Sequence, residues 1–594
     1  MTKCRKTRGF ITLLIVLWIV TFEVPDWFTP EEAFHLDPSM GIKNISWKSE
    51  HKEISMVIPE ISMGKVVVFS NRAGTAEEYS KRFSALVQQE KENSPTQTDS
   101  ARLETTHSPG HADMIRWRLS SELMPESMSW YTEPPDPSEI TFKLSEQEPL
   151  HWKSSEKSPD LRFNIDTALK YQSILGIGTS LEATSLHALV KNKNVKEIRE
   201  LIRRLLDPVS GMGLNLFRIC IGTSDFSDGR AVSDHPQGYY TYRDNRDQPF
   251  SIQPDIDMGI TRVLKMVMEE SERLEQDILF FASCWSPPAW MKTSENLIGG
   301  TLKKGLEGEL ALYFRQFIEA YEELGIPIHA ITIQNEPNFT PSSYPGMRLS
   351  PEQEKKCAEA IYREFNEVKD GKRKLDARIW INDHNMNHWK NARKVLNGLR
   401  KEGEKHIVNG VAFHHYNSQA SPANMSKLHD LHPEVDIQMT EHAEWGVSGM
   451  HNIQQYFLNW SRSYMYWVPM TTLKLDEHNQ GPYNRIPDLS PTLFIERGTE
   501  GSDLMVTPEY YLISQFSKYI RPGAARIGCN PGSPDRITSV VFRNPDRSMV
   551  QLLVNQTELT QTFETNYGER YFSATIPPKT VGTFTWNEPK KEKQ

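Results

Sequence analysis

Asn335, Glu336 and Pro337 close a run, Ile331-Thr-Ile-Gln, whose alternation and β-branched side chains suit a strand. Proline cannot donate to a strand ladder, so Pro337 stops the strand directly after Glu336. A carboxyl group is left at the C-terminal tip of a strand, beside an amide. A second such tip follows, where Val435-Asp-Ile-Gln-Met-Thr-Glu441 ends on Glu441. Hydrolysing a glycosidic bond takes two carboxyl groups flanking the anomeric carbon. In a retaining enzyme they stand about 5–5.5 Å apart, one as nucleophile and the other as acid and then base. Strand tips facing each other across a barrel mouth can meet that distance whatever their separation in sequence. Taken alone, Glu336 reads as an exposed glutamate closing an ordinary strand; its pairing with Glu441 favours chemistry. Glu444 competes for the second role but falls beyond the strand end.

Positioning two tips at one mouth requires a parallel barrel, and the chain carries its rhythm. From about residue 170, apolar strands alternate with amphipathic helical stretches, the pattern of parallel βα units. Eight strands are expected, at Ser173–Gly178, Leu214–Gly222, Ile278–Trp285, Ile328–Glu336, Ala377–Asp383, Gly410–Tyr416, Val435–Glu441 and Tyr466–Leu473. Helical periodicity is expected over Ala183–Leu206, Ile260–Leu274, Leu310–Leu324, Glu352–Val368 and Pro508–Ile520. This predicts an α/β fold, a (β/α)8 TIM barrel over 169–521. The flanks read as β. Lys65–Phe69, Glu139–Lys143 and Leu161–Ile165 precede the barrel, with a polar insertion near 88–111. Ile537–Phe542, Met549–Val554 and Val581–Trp586 follow it. Segments 61–168 and 522–594 are expected to join in one accessory β-sandwich.

A chain of 594 residues, 38% hydrophobic, can bury more than one domain, and a net charge of -9 argues against a nucleic-acid partner. Fourteen Trp and twenty Tyr suit sugar rings, although packing explains aromatics equally well. No two of the five cysteines have metal-ligand spacing, and one disulfide among Cys220, Cys284, Cys357 and Cys529 stays open. His414 and His415 are adjacent on a strand and point to opposite faces. One reads as buried lining, and neither metal nor cofactor is expected. Lys3, Arg5, Lys6 and Arg8 precede an apolar run from Phe10 to Phe22. That is the form of a secretory signal over 1–22, or of an uncleaved anchor, with a linker at 23–60. The expectation is an exported protein, secreted, periplasmic or in a lysosome-like lumen, with membrane attachment through 10–22 as an alternative. Asn44, Asn338 and Asn555 begin glycosylation sequons.

The phrases Gly176-Ile-Gly178, Asn215-Leu-Phe-Arg218, Ser224-Asp-Phe-Ser227, Trp285-Ser-Pro-Pro-Ala-Trp290, Asn335-Glu-Pro337, His414-His-Tyr416 and Thr440-Glu441 resemble, in order, motifs of glycoside hydrolase family 30. The resemblance covers about 170–590. It implies a retaining, glucosylceramidase-like β-glycosidase acting on a glycoside, glycolipid or oligosaccharide, with Glu336 as acid/base and Glu441 as nucleophile. It further implies that Asn335 binds the sugar 2-hydroxyl, that Asp225 and Trp285 hold the sugar ring, and that Arg218 and Tyr416 keep Glu441 ionised and oriented. The neighbouring anion is expected to raise the pKa of Glu336. Two departures stand out. Thr179 replaces a second glycine, and the segment Met470-Thr-Thr-Leu-Lys-Leu475 lacks the aromatic wall expected at the eighth strand end. An endo-acting xylanase or β-1,6-glucanase, a β-fucosidase, and a non-catalytic carbohydrate-binding protein are the competing readings.

Overall fold

Eight parallel strands close into a barrel. They are Gly176–Ser180 (β1), Leu216–Cys220 (β2), Leu279–Ser283 (β3), Ile328–Thr332 (β4), Arg378–Asn385 (β5), Gly410–His414 (β6), Asp436–Glu441 (β7) and Ser461–Tyr466 (β8). The computed structural model describes residues 114–122, 139–154, 160–227, 229–236, 238–368, 371–472, 493–495 and 504–588, with strands at His35–Leu36, Ile42–Ser49 and Lys52–Pro59. The apolar run 10–22, the expected strand Lys65–Phe69 and the polar run 88–111 lie outside the described residues. Among the described residues no helix is long and apolar enough to cross a membrane. Within the stretch read as a linker, His35–Leu36, Ile42–Ser49 and Lys52–Pro59 pair as an antiparallel three-stranded sheet.

Side chains on a strand alternate between barrel interior and helix layer. Leu216, Phe281, Ala330, Trp380 and Met465 meet inside as an apolar floor. Two positions further along β2, β3 and β4 come Arg218, Ser283 and Thr332, all buried and polar. The barrel is therefore a packed core capped by a polar layer at its C-terminal mouth. Gly178 makes closure between β1 and β2 feasible, because a Cβ there would stand 1.5 Å from the Leu216 carbonyl oxygen. Thr179, in place of the second glycine, is buried and donates its hydroxyl to the Tyr466 carbonyl at 3.2 Å.

Several expectations shift. The eighth barrel strand is Ser461–Tyr466, not Tyr466–Leu473. Met470–Thr472 instead pairs with Leu493–Ile495 in a separate small sheet. The long apolar run misleads because strand and strand-exit are equally apolar. The helix expected over Ala183–Leu206 is two, Ala183–Asn192 and Val195–Leu206. The break is written at Asn194, which accepts from the Glu197 N–H while the Glu197 carboxylate accepts from the Asn194 N–H, a capping box. Glu139–Lys143 is not a strand; short pairings at Ser145–Glu146 and Leu150–His151 follow it. The four described cysteines are free, so no disulfide joins them. Asn555 is 0% exposed, and its amide donates to the Leu559 and Pro577 carbonyls, so that sequon is closed to a glycan.

The flanks do unite. Met114–Ser121, Ser145–Glu146, Leu150–His151 and Arg162–Ser173, ahead of the barrel, join Ala525–Cys529, Thr538–Arg543, Ser548–Asn555, Gln561–Tyr567, Arg570–Ile576 and Thr580–Asn587 in one ten-stranded sheet. The sheet curls on itself around Phe163, Phe563, Phe572 and Phe584, with Phe572 stacked on Phe584 at 5.5 Å.

Candidate active site

The polar layer at the barrel mouth is built around Arg218, which is fully buried. Its Nε donates to Ser283 Oγ at 2.9 Å, and one Nη donates to both Asn335 Oδ1 at 2.7 Å and Asp383 Oδ2 at 2.9 Å. The other Nη donates to Glu441 Oε2. A planar fork is the side chain able to hold four acceptors from β3, β4, β5 and β7 at once. Burial works against its charge, but Asp383, Glu441 and Glu182 outweigh burial and raise its pKa further.

Asp383 is the anion at the centre. Its carboxylate accepts from Thr332 Oγ1 at 2.6 Å, Ser283 Oγ at 3.1 Å, Thr440 Oγ1 at 2.7 Å and Arg218. Burial pushes its carboxyl up, while Arg218 and His414 outweigh that and hold it well below the usual range. A bulge aims it inward: the β5–β6 register breaks between Ile381 and His384, and Asn382 and Asp383 have φ of 73° and 39°. The buried carboxyl of Glu354, from helix Pro351–Asn366, accepts the Asn382 N–H at 2.7 Å and supports the bulge.

Glu336 and Glu441 meet at one imidazole. His414 Nδ1 lies 3.3 Å from Glu336 Oε1, and Nε2 lies 3.1 Å from Asp383 Oδ1 and 3.6 Å from Glu441 Oε2. Burial opposes a charge on this ring, yet Glu441, Asp383 and Glu336 hold its pKa up at about 10. Glu336 leaves the strand with φ of 52°, its N–H bonded to the Asp383 carbonyl at 2.9 Å, a left-handed turn that a glutamate adopts only under constraint. Its side chain is 18% exposed, against 8% for Glu441. The expected rise in the Glu336 pKa is reversed. Burial pushes the carboxyl up, but the hydrogen bond with His414 and the charges of His384 and His414 together outweigh it and hold the group below its usual value.

The remaining expected residues surround this pair. Asn335 is buried beside Arg218, its N–H bonded to the Cys284 carbonyl at 2.7 Å. Asp225 is raised well above its usual range, first by burial and then by the charges of Glu441, Glu182 and Glu336, which places it in the same field. Tyr416 stands at the rim, 42% exposed, and burial of its hydroxyl end and a hydrogen bond with Glu441 push the phenol far up. Trp285 is 2% exposed, with the Arg218 guanidinium 4.6 Å from its ring, so it braces Arg218 more than it offers an open stacking face. A second buried aromatic stands beside it. Trp467, directly after β8, sits 5.8 Å from Trp285 and 5.9 Å from the Arg218 guanidinium. Placing β8 too late hid it. Lys292 fixes the loops above by donating to Ser286 Oγ and to the Leu297 and Gly346 carbonyls at 2.8, 2.5 and 2.8 Å. Among the described residues two groups have spacing for a cation, His415 with His442 and Glu444, and Glu359 with Glu402 and Glu404. Neither contains Glu336 or Glu441.

The family sequence model for the glycosyl hydrolase family 30 TIM-barrel domain matches residues 174–482, and that for the family's β-sandwich domain matches 523–584. The chain belongs to glycoside hydrolase family 30. It is a glycoside hydrolase with a glycan substrate. An endo-1,6-β-D-glucanase of Aspergillus fumigatus is 27% identical over 461 residues, 72% of this chain and 88% of the relative. A glucosylceramidase-like protein of Caenorhabditis elegans is 26% identical over 465 residues, 72% of this chain and 84% of the relative. The solved structure of an endo-β-1,6-glucanase shares the fold, with a TM-score of 0.65 and 21% identity, covering 80% of this chain and all of that one.

Proposed function

We propose that this family 30 enzyme hydrolyses β-linked glucosyl units with retention of configuration. Glu441 attacks the anomeric carbon while Glu336 gives a proton to the departing oxygen. The glycosyl ester on Glu441 is then hydrolysed by a water whose proton returns to Glu336. The observation that carries the reading is the convergence of both carboxylates on one buried imidazole, at 3.3 and 3.6 Å, from strand tips more than a hundred residues apart in sequence. Their environments differ in access, and the carboxyl of Glu336, held low by His414 in the free enzyme, has to rise when substrate binds for it to act as acid. Glu441 is enclosed and fixed by Arg218 and Tyr416, whereas Glu336 is the more open of the two and stands where an aglycone would leave. Asn335, fixed by Arg218, supports a bond to the sugar 2-hydroxyl that strengthens in the transition state.

A glucosyl donor is supported by the relatives, an endo-1,6-β-glucanase and a glucosylceramidase-like protein. On the acceptor side, the open rim at Tyr416 and Phe339 suits a bulky aglycone, a glycolipid or a chain of sugars. Glu441→Ala should abolish release of nitrophenol from a nitrophenyl β-glucoside, and added azide should restore turnover with an inverted azide product. Unchanged activity in that variant would remove Glu441 from the role. Glucosylceramide and β-1,6-glucan, each set against β-xyloside and β-fucoside, separate the acceptors. Faster cleavage of β-xyloside or β-fucoside than of every glucoside would overturn the donor assignment.

A further inference from the structure

Behind the two catalytic strand tips, three side chains that the hydrolysis does not use converge on one point. His415 follows β6, and His442 and Glu444 follow β7. One ligand atom from each lies within 4.8 Å of the other two. A tetrahedral zinc with bonds of about 2.1 Å keeps its ligand atoms about 3.4 Å apart, so modest closure suffices. His442 Nδ1 is already 3.0 Å from Glu444 Oε1, where it is buried without a hydrogen bond. The Tyr456 hydroxyl bridges the two side chains, donating to Glu444 Oε1 and lying 2.7 Å from His415 Nδ1. The His415 ring also bonds the Ala420 backbone carbonyl. A neutral imidazole that donates there presents a lone pair at its other nitrogen, the arrangement that orients metal-bound histidines. Glu444 is 3% exposed.

We propose that His415, His442 and Glu444 form a site for a divalent transition cation, zinc by ligand chemistry, outside the pair of reacting carboxylates. Two imidazoles and a carboxylate are a zinc ligand set, and a fourth position is left for water. The site bears on turnover through its neighbours. His442 is bonded in sequence to Glu441, and its ring lies 5.0 Å from that of Tyr416, which holds Glu441. Drawing the ligand atoms together moves the tips of β6 and β7, the second of which carries Glu441, and a displacement near 1 Å at a reacting group costs about a hundredfold in rate. Bound zinc therefore inhibits.

Calorimetric titration of the full chain with zinc chloride tests this without reference to turnover. One zinc per chain is expected, with affinity weakened at least tenfold in His415→Gln, His442→Gln and Glu444→Gln. Cobalt in place of zinc should give the visible absorption of a tetrahedral N/O site in the wild-type protein, a signature independent of how the variants fold. Zinc should lower hydrolysis of nitrophenyl β-glucoside by up to about a hundredfold, and a chelator should restore it. Absence of stoichiometric binding to the wild-type chain, or equal affinity in all three variants, would overturn the site. Binding without loss of rate would overturn the inhibition.

Discussion

At the scale of single residues, the mouth of this barrel is governed by charge balance. Arg218 and His414 face Glu336, Asp383 and Glu441, and each cation touches more than one anion. Taking such groups out of water is costly, and the cost is met only when every lone pair and proton has a partner. Shape then matters as much as charge. Arg218→Lys keeps the positive charge but replaces a rigid fork with one ammonium, which cannot reach Ser283, Asn335, Asp383 and Glu441 together. The variant should lose about 100- to 1000-fold in kcat, on the order of 3–4 kcal/mol, as when an electrostatic contact to the reacting groups is removed. Steady-state kinetics beside a circular-dichroism spectrum separates this from unfolding; a lysine variant within threefold of wild type would refute it. Much of this layer was legible in the sequence. Glu336, Glu441, Asn335 and Arg218 all meet at strand tips, as strand position and motif imply. Asp383 and His414 were not read as site residues. Asp383 was visible as the last residue of an expected strand, but its inward aim depends on a bulge that no period-2 pattern displays. Of His414 and His415 the sequence marks one as lining without saying which, since type and alternation give opposite faces and not partners.

At the scale of elements, the bulge in β5 is held by a helix that lies outside the barrel. Glu354 carries its carboxyl to the Asn382 N–H, and burial raises that carboxyl to about 7. An unfolded glutamate titrates near 4.5. Between those values the folded chain holds a proton that the unfolded chain has released. The stability this group contributes is thus complete below about pH 4.5 and is lost as pH rises through 7, a change of about 3 kcal/mol. Glu354→Gln keeps an oxygen for the Asn382 N–H and removes the titration. Urea unfolding at pH 5 and pH 8 should show a fall in stability that is smaller in the variant by about 2.5 kcal/mol. Equal falls in both proteins would refute this. Neighbouring elements show what a sequence can conceal. The helix break at Asn194 was spelled out by a capping box, yet unbroken apolar periodicity hides it. The end of β8 could not be placed within an apolar run from Tyr464 to Met470, and Trp467 was lost with it. The close approach of β1 to β2 at Gly178 is likewise invisible in the strand pattern and shows only in the structure, where a Cβ would meet the Leu216 carbonyl.

At the scale of the whole molecule, barrel and sheet share one core. Along Thr538–Arg543 and Ser548–Asn555, alternate residues belong to different apolar clusters. Val541, Met549 and Leu553 pack inside the curled sheet, whereas Val540, Phe542, Val550, Leu552 and Val554 join the core of the barrel helices. Polar contacts pin the seam. Buried Gln454, on helix Gly446–Leu458, donates to the Leu552 carbonyl at 3.0 Å and accepts from Thr538 Oγ1 at 2.6 Å. Phe457 meets Phe542 edge to face at 5.5 Å. On the far side, Gln515 donates to Ser120 Oγ at 2.8 Å, tying the last helix to a strand from before the barrel. Each large apolar side chain kept from water contributes about 1.5–3 kcal/mol, so five or six along this seam amount to on the order of 10 kcal/mol. That matches the whole net stability of an ordinary domain, about 5–15 kcal/mol. The barrel therefore depends on the sheet. A fragment ending at 522 should be insoluble or lack a cooperative unfolding transition, and calorimetry of the full chain should show barrel and sheet melting in one step. A soluble, hydrolytically active 169–521 fragment, or two separate transitions assigned to barrel and sheet, would show that the shared core is dispensable.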